Sequence, residues 1–236
     1  MRCCRPRNER KEPQLEKLTI EHVSYQYPGS RSPVLRDLSG EFLSGEMTAV
    51  IGPSGSGKST LLSLLAGLDR PTEGRILLDG EEIGRMDPDR YRRERVSVIF
   101  QSFQLFPLLT VLENVCVPRE LQGRGRRDAE ETARALLREV GIPPEEEGRF
   151  PAQLSGGEQQ RAAIARALSG GARLLLADEP TGNLDGENSR GIVALLRKLA
   201  GDGCCVVVVT HDMAIAAEAD RVYEMRDGRL SLRTGE

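Results

Sequence analysis

Four short segments of the chain are almost entirely apolar, and they are its strongest structural signal. They cover residues 47–51, 96–100, 174–177 and 204–209. Continuous apolar runs of this length predict strands that are buried on both faces, as in a parallel sheet covered by helices. The pattern therefore favours an α/β fold with a mostly parallel core sheet.

A different pattern precedes and interrupts these runs. Residues 17–27 alternate between apolar and polar side chains, and 34–42 follow after the turn signal Pro28-Gly29. Residues 75–80 and 81–83 form a further short pair broken at a turn. Alternation with turn residues between the segments predicts antiparallel strands. We therefore expect an N-terminal antiparallel β layer beside the core sheet.

The stretch 104–157 lacks strand signals and predicts an inserted α-helical subdomain. Within it, Asp128 is expected to cap a helix that stops at Gly141, because apolar residues recur between the two at helical spacing. The run Glu145 to Glu147 reads as a solvated loop. Further helices are predicted over 156–168 and 186–200.

Length and charge limit the possible classes of protein. The 236 residues suffice for one large domain, which we place at 15–236, with an α/β core at about 15–103 and 158–236 and a disordered basic tail at 1–14. The net charge of −3 and the absence of tryptophan argue against a nucleic-acid partner. Because no apolar stretch reaches about 18 residues and no secretory signal is present, we expect an intracellular protein.

A glycine-rich segment links the apolar run 47–51 to a second apolar stretch of helical length. It fits the pattern G-x-x-x-x-G-K-[ST] in the strand, loop and helix context that this pattern requires. Its glycines allow successive N–H groups to face one anion, and the N-terminus of the following helix adds partial positive charge. Lysine reaches the β- and γ-phosphates, and the serine after it ligates Mg²⁺. The predicted phosphate-binding residues are Gly52, Pro53, Ser54, Gly55, Ser56, Gly57, Lys58, Ser59 and Thr60.

Polar residues follow the other three apolar runs. Gln101 follows the second run, Asp178 and Glu179 follow the third, and Thr210-His211 follows the fourth. In a parallel sheet all of these lie along one edge with the phosphate loop. Asp178 is then placed to hold Mg²⁺, and Glu179 to accept a proton from an attacking water.

A second glycine turn opens the helix predicted over 156–168, and its candidate binding residues are Ser155, Gly156, Gly157 and Glu158. With the motif Leu154-Ser-Gly-Gly-Glu158, the chain resembles the ATP-binding-cassette ATPases from about Lys17 to Leu230. In that family the Walker A, Q-loop, signature, Walker B, D-loop and H-loop motifs occur in this order. The resemblance implies a P-loop NTPase fold, ATP and Mg²⁺ as cofactors, and ATP hydrolysis.

The resemblance also implies roles for individual residues. Gln101 contacts Mg²⁺ and water and communicates with a partner. Glu179 is the catalytic carboxylate, and His211 is the switch residue near the γ-phosphate. Residues 182–185 form the D-loop, which ends at Asp185 and reaches across a dimer. Tyr27 is assigned to stacking on adenine, with Tyr25 as the alternative.

In the family that the chain resembles, two ATP molecules are held between two copies in a head-to-tail dimer. Residues 100–115, 177–185 and 224–230 are similar to the lipoprotein-release, MacB-type and FtsE-type branch. This branch implies a separate transmembrane permease and a cytoplasmic protein peripheral to the membrane. A cytosolic ATPase of the iron–sulfur-assembly kind is the alternative, and a DNA-repair or translation cassette is a third interpretation.

Overall fold

A computed structural model describes residues 17–233 and arranges them in two β-sheets and seven α-helices. The predicted basic tail at 1–14 lies outside these residues. In chain order the strands are β1 (Lys17–Tyr25), β2 (Leu35–Leu43), β3 (Met47–Ile51), β4 (Glu73–Leu78), β5 (Glu81–Glu82), β6 (Val96–Ile99), β7 (Leu174–Asp178), β8 (Cys205–Thr210), β9 (Arg221–Arg226) and β10 (Arg229–Leu232).

The helices connect the strands and cover the sheets. The first follows the phosphate loop directly, and the third to fifth fall in or next to the stretch predicted to be helical. They are α1 (Lys58–Leu65), α2 (Pro88–Glu94), α3 (Val111–Leu121), α4 (Arg126–Glu139), α5 (Gly156–Ser169), α6 (Gly186–Gly201) and α7 (Met213–Glu218).

The larger sheet has the strand order β10-β9-β3-β8-β7-β6. The pairs β3/β8, β7/β8 and β6/β7 are all parallel, which confirms the parallel core expected from the four apolar runs. Strand β9 also pairs in parallel with β3, and β10 turns back beside β9 in antiparallel sense. The apolar pattern did not predict this last hairpin, because its strands alternate with charged residues.

The smaller sheet has the order β2-β1-β4-β5 and its pairs are antiparallel. Its inner face packs with α1 against one face of the larger sheet, in a cluster that includes Leu18, Phe42 and Leu61. Helices α3 to α6 cover the opposite face, where Leu175, Val206 and Val208 are buried. The predicted α/β fold with an antiparallel layer is confirmed, and the phosphate loop lies between the two sheets.

Two local expectations are wrong. Helix α4 begins at Arg126, and Asp128 lies in its first turn, where it pairs with Arg119 at 2.9 Å instead of capping the helix. Glu145 is exposed, but Glu146 and Glu147 are buried.

The buried glutamates stabilise the start of α3. Glu147 accepts a hydrogen bond from Arg134 at 2.6 Å, and Glu146 pairs with Arg149 at 3.0 Å. The carbonyls of Glu147 and Arg149 accept from the first N–H groups of α3, at Leu112 and Val111. The segment therefore satisfies helix donors that would otherwise lack partners.

Candidate functional site

The phosphate loop joins β3 to α1 and is shaped by its glycines. Gly55 and Gly57 have φ angles of +78° and +107°, in the region that favours glycine. A Cβ at Gly57 would lie 2.6 Å from the buried Leu35 side chain, so a larger residue would have to displace it. Gly57 precedes the first residue of α1 and no side chain caps the helix, which leaves backbone N–H groups at its start for a ligand.

Lys58 and Ser56 both carry polar groups inside this loop. Lys58 is 9% exposed, and its Nζ donates to the carbonyls of Gly52 at 2.8 Å and Pro53 at 3.0 Å. Ser56 Oγ is buried and has no hydrogen-bond partner within residues 17–233. A buried hydroxyl without a partner is costly unless a ligand satisfies it, so the loop fits an anion.

Asp178 ends β7 beside the phosphate loop. Burial and the adjacent Glu179 raise the pKa of the Asp178 carboxyl, while a hydrogen bond from Ser59 and the charge of Lys58 oppose the shift. The structure thus brings together a carboxylate, a hydroxyl and a lysine from segments 120 residues apart in sequence, from 58 to 178. Carboxylate and hydroxyl oxygens are ligands that suit Mg²⁺.

Glu179 follows immediately and takes an unusual backbone conformation, with φ at +46°. Its Oε2 accepts a hydrogen bond from Thr210 Oγ1 at 2.9 Å, and its Oε1 lies 2.8 Å from His211 Nδ1. The Glu179 side chain is 17% exposed and that of His211 is 72% exposed. The ends of β7 and β8 therefore fix one carboxylate at the edge of the sheet and leave the imidazole facing outward.

Thr210 is the residue of this group whose role sequence reasoning did not assign. It is fully buried, and its Oγ1 also accepts from the Asp212 N–H at 3.0 Å. The sequence gives one signal for such a role, because Thr210, which carries a hydroxyl group, directly follows a run of six apolar or cysteine residues.

Gln101 lies beside the turn 182–185. The Asn183 side chain donates to the Gln101 carbonyl at 2.8 Å, and a Cβ at Gly182 would meet Gln101 Nε2 at 2.8 Å. The same Cβ would lie 3.4 Å from the Glu179 carbonyl. The Gln101 side chain, which follows β6, and the Glu179 carbonyl, at the end of β7, therefore both lie close to Gly182.

Asp185 ends this turn and caps α6. It accepts from the N–H groups of Glu187 at 3.1 Å and Asn188 at 2.9 Å, and also from the Asn188 side chain at 2.9 Å. The backbone hydrogen bond from Asn188 is the main reason that the Asp185 pKa is lowered. Within one chain Asp185 is thus a helix cap, and its predicted contact across a dimer remains a prediction.

The predicted signature residues open α5. Ser155 is the N-cap, and Glu158 Oε2 accepts from both the Ser155 N–H and its hydroxyl at 2.8 Å. This capping box fixes the turn. A Cβ at Gly157 would lie 2.3 Å from Asn188 Oδ1, so the turn packs directly against the start of α6 in its own chain.

The two candidate adenine-stacking tyrosines differ in exposure. Tyr25 is 5% exposed and packs edge-on against Tyr27, with ring centroids 4.9 Å apart. Tyr27 is 43% exposed, and its hydroxyl lies 3.0 Å from Thr60 Oγ1 on α1. Tyr27 therefore presents the accessible ring next to the phosphate loop.

A cavity of about 1140 Å³ adjoins Glu179 and His211 and extends between α6 and α7. A second groove, of about 450 Å³, lies between the α2–β6 region and helices α3 and α5. Helices that could cross a membrane are absent between residues 17 and 233.

Comparisons with known proteins agree with this architecture. A family model described as ABC transporter matches residues 35–182. The "Macrolide export ATP-binding/permease protein MacB" of Salmonella choleraesuis (strain SC-B67) is 43% identical over 218 residues, which cover 90% of this chain and 34% of that protein. The protein of the same name from Bordetella avium (strain 197N) is 46% identical over 200 residues, or 84% of this chain and 30% of that protein. The chain thus spans about a third of the length of these curated relatives.

Solved structures show the same similarity. "Dimeric Structure of MJ0796, a Bacterial ABC Transporter Cassette" is 37% identical with a TM-score of 0.82, and the match covers 93% of this chain and 100% of that one. A post-hydrolysis state of MJ0796 bound to ADP and Pi is 36% identical with a TM-score of 0.82 and the same coverage. The family model, the curated relatives and the solved structures agree, and the chain belongs to the ABC transporter family.

Proposed function

We propose that this chain is an ATP-hydrolysing nucleotide-binding subunit, which binds ATP with Mg²⁺, pairs with a second copy of itself and drives a membrane permease. The observation that carries the proposal is the environment of Glu179. A carboxylate held by Thr210 and beside His211 lies next in sequence to Asp178, which contacts the phosphate loop through Ser59.

The nucleotide phosphates bind in the loop 52–60. Lys58 exchanges its two carbonyl partners for phosphate oxygens, and the buried Ser56 hydroxyl gains an acceptor. The uncapped start of α1 supplies N–H groups. Tyr27 supports the adenine ring from the edge of the loop, which is the role predicted from the family.

The side-chain oxygen ligands at this edge of the larger sheet suit Mg²⁺. Ser59 and Asp178 would hold it, with Gln101 as the third predicted ligand. Clusters of three or more His, Cys, Asp or Glu side chains that could hold a metal ion are absent from residues 17–233, and Mg²⁺ commonly needs only one or two protein carboxylates beside water and phosphate. When bound, the cation neutralises phosphate charge that develops during transfer.

Glu179 accepts a proton from the attacking water. Thr210 donates to one carboxylate oxygen, and the other lies 2.8 Å from His211 Nδ1, so contacts with the end of β8 fix the orientation of the group. A positioned base contributes about 10²–10⁴-fold to the rate.

The signature turn supplies the second half of each nucleotide site. Its Gly157 lies against Asn188 within one chain, and Asp185, which caps the same helix, belongs to the D-loop. In the dimer proposed for this chain, the turn 155–158 of one copy faces the phosphate loop of the other, and the similar cassette MJ0796 is also dimeric. ATP then closes the dimer and hydrolysis opens it.

The groove beside α3 and α5 is the proposed docking site of the permease. Leu68, Phe106 and Leu121 line it and are 55%, 47% and 63% exposed. Arg93 and Arg166 add positive charge. Exposed apolar side chains along a groove fit an amphipathic helix. Docking there would place the chain at the cytoplasmic face of the membrane, and the MacB relatives, named as ATP-binding/permease proteins, favour this function over a cytosolic iron–sulfur-assembly ATPase.

The substitution Glu179→Gln tests the proposal. We expect the variant to bind ATP and to form a long-lived dimer, while ATP turnover falls by about 10²–10⁴-fold because the proton acceptor is lost. Phosphate release measures turnover, and size-exclusion chromatography with light scattering measures the dimer.

Glu187→Gln is the matched control, since Glu187 is an exposed glutamate in the first turn of α6. It should behave like the parent chain. A Glu179→Gln chain that stays monomeric at saturating ATP, or turns over at the parent rate, would contradict the proposed role.

A further inference from the structure

Arg166 is a partly buried cation of α5 that contacts the loop after β6. Its Nη1 donates to the Gln104 carbonyl at 2.5 Å and its Nη2 to the Phe103 carbonyl at 3.1 Å. Its guanidinium also lies 5.8 Å from the centre of the Phe106 ring. Burial lowers its pKa, and no ion pair within residues 17–233 includes it. The loop carbonyls are therefore its main polar partners.

The carbonyls that Arg166 holds belong to two consecutive residues in the left-handed region. Phe103 has φ at +58° and Gln104 has φ at +54°. Residues with side chains avoid this region, and two in succession persist only where surrounding contacts hold them. The fork of the guanidinium suits two neighbouring carbonyls, which a lysine cannot bind in the same way.

The loop is thus tethered at both ends. Asn183 holds the Gln101 carbonyl at 2.8 Å, and Arg166 holds the carbonyls two and three residues later. Between these tethers the Gln101 amide lies against Gly182. Arg166 lies on the helix that Ser155 opens and also lines the groove of about 450 Å³.

We propose that Arg166 is a positioning residue that keeps Gln101 at the sheet edge by holding the loop after β6 to α5. The inference rests on the proposed function, because it concerns the same ATP site and the same groove. Arg166 itself contacts neither nucleotide nor metal in this scheme.

Kinetics of Arg166→Ala test the positioning role. We expect kcat for ATP to fall about tenfold, since a small displacement of a positioning group is costly, while the KM for ATP stays within about threefold. Arg166→Lys should not restore kcat, because the charge returns without the fork. Arg138→Ala is the control, since Arg138 is exposed on α4 and, within residues 17–233, donates only to the carbonyl of Arg134 in its own helix.

A double-mutant cycle identifies the residue through which Arg166 acts. If Arg166 acts through Gln101, adding Arg166→Ala to a Gln101→Ala chain should lower kcat by less than about twofold. A full tenfold loss in that background, or an unchanged kcat in the single variant, would overturn the inference while leaving ATP hydrolysis by the parent chain intact.

Chymotrypsin tests the tether without ATP hydrolysis. The loop contains Phe103, which is followed by Gln104 and can be cut, whereas Pro107 blocks cleavage after Phe106, so cleavage after Phe103 reports loop opening. We expect cleavage after Phe103 to be about tenfold faster in Arg166→Ala than in the parent chain and in Arg138→Ala. Equal cleavage rates would overturn the tether, whether or not the parent chain hydrolyses ATP.

Discussion

The two halves of the proposed nucleotide site are built in different ways. The phosphate loop is nine consecutive residues between a fully buried strand and a helix, and its shape follows from glycines within it. The signature turn and the loop after β6 depend instead on single contacts between distant residues, such as Gly157 with Asn188 and Arg166 with Phe103. The first half is therefore expected to be rigid and the second to be adjustable, as nucleotide binding and movement respectively require.

A single substitution in the phosphate loop should cause the largest loss of ATP turnover. Lys58→Met keeps an unbranched apolar stem in a site that is 9% exposed but removes the charge. We expect ATP turnover to fall by at least about 10²-fold, because preorganised positive charge at the phosphates is lost. Thermal unfolding should change little, because the loss of hydrogen bonds to two backbone carbonyls is offset by removal of the cost of burying the charge.

Lys198→Met is the control for this substitution. Lys198 is on α6 and pairs at the surface with Glu139 at 2.9 Å. Its loss should leave turnover unchanged. A Lys58→Met chain that retains most of its turnover would show that the loop does not hold the phosphates in the proposed way.

The ends of β7 and β8, where Thr210 contacts Glu179, allow a finer test. Thr210→Val preserves shape but removes the hydroxyl that donates to Glu179 at 2.9 Å. Hydrogen bonds to charged groups contribute about 1.5–3 kcal/mol, so we expect kcat to fall by about ten- to a hundredfold with little change in KM. Steady-state phosphate release measures both constants.

Thr48→Val provides a matched comparison on β3. Thr48 is also buried in the sheet, but its hydroxyl has no hydrogen-bond partner among the described residues 17–233. Replacing it should leave kcat unchanged and leave stability equal or higher. If Thr210→Val behaved like Thr48→Val, the orientation of Glu179 would not depend on the strand end.

Sequence reasoning predicted the rigid half better than the adjustable half, for a physical reason. The apolar runs and the glycine loop act over short stretches, so the parallel strands and the meeting of Ser59 with Asp178 followed from them. Contacts such as Asn183 with Gln101, 82 residues apart, leave no local pattern. The burial of Glu146 and Glu147 was missed for the same reason, since their arginine partners are visible only after folding.

The smallest expected effect is a change in the free energy of unfolding, caused by a substitution in the signature turn. A Cβ at Gly157 would lie 2.3 Å from Asn188 Oδ1, whereas a Cβ at Gly156 would be 3.4 Å from the nearest side chain, an ordinary contact. We therefore expect Gly157→Ala to lower the free energy of unfolding by about 1–3 kcal/mol through overpacking. Gly156→Ala should be neutral or slightly stabilising, because alanine is the better helix former.

Removing Asn188 should reverse the sign of this effect. Asn188→Ala alone loses the bond to Asp185 at 2.9 Å and costs about 1 kcal/mol. In that background the methyl group of Gly157→Ala has room, so the double variant should be at least as stable as Asn188→Ala. Urea unfolding of the four chains measures the coupling. If Gly157→Ala lowers the free energy of unfolding equally with and without Asn188, the signature turn is not held by α6. The shape of this turn would then depend on its own residues, as the shape of the phosphate loop does.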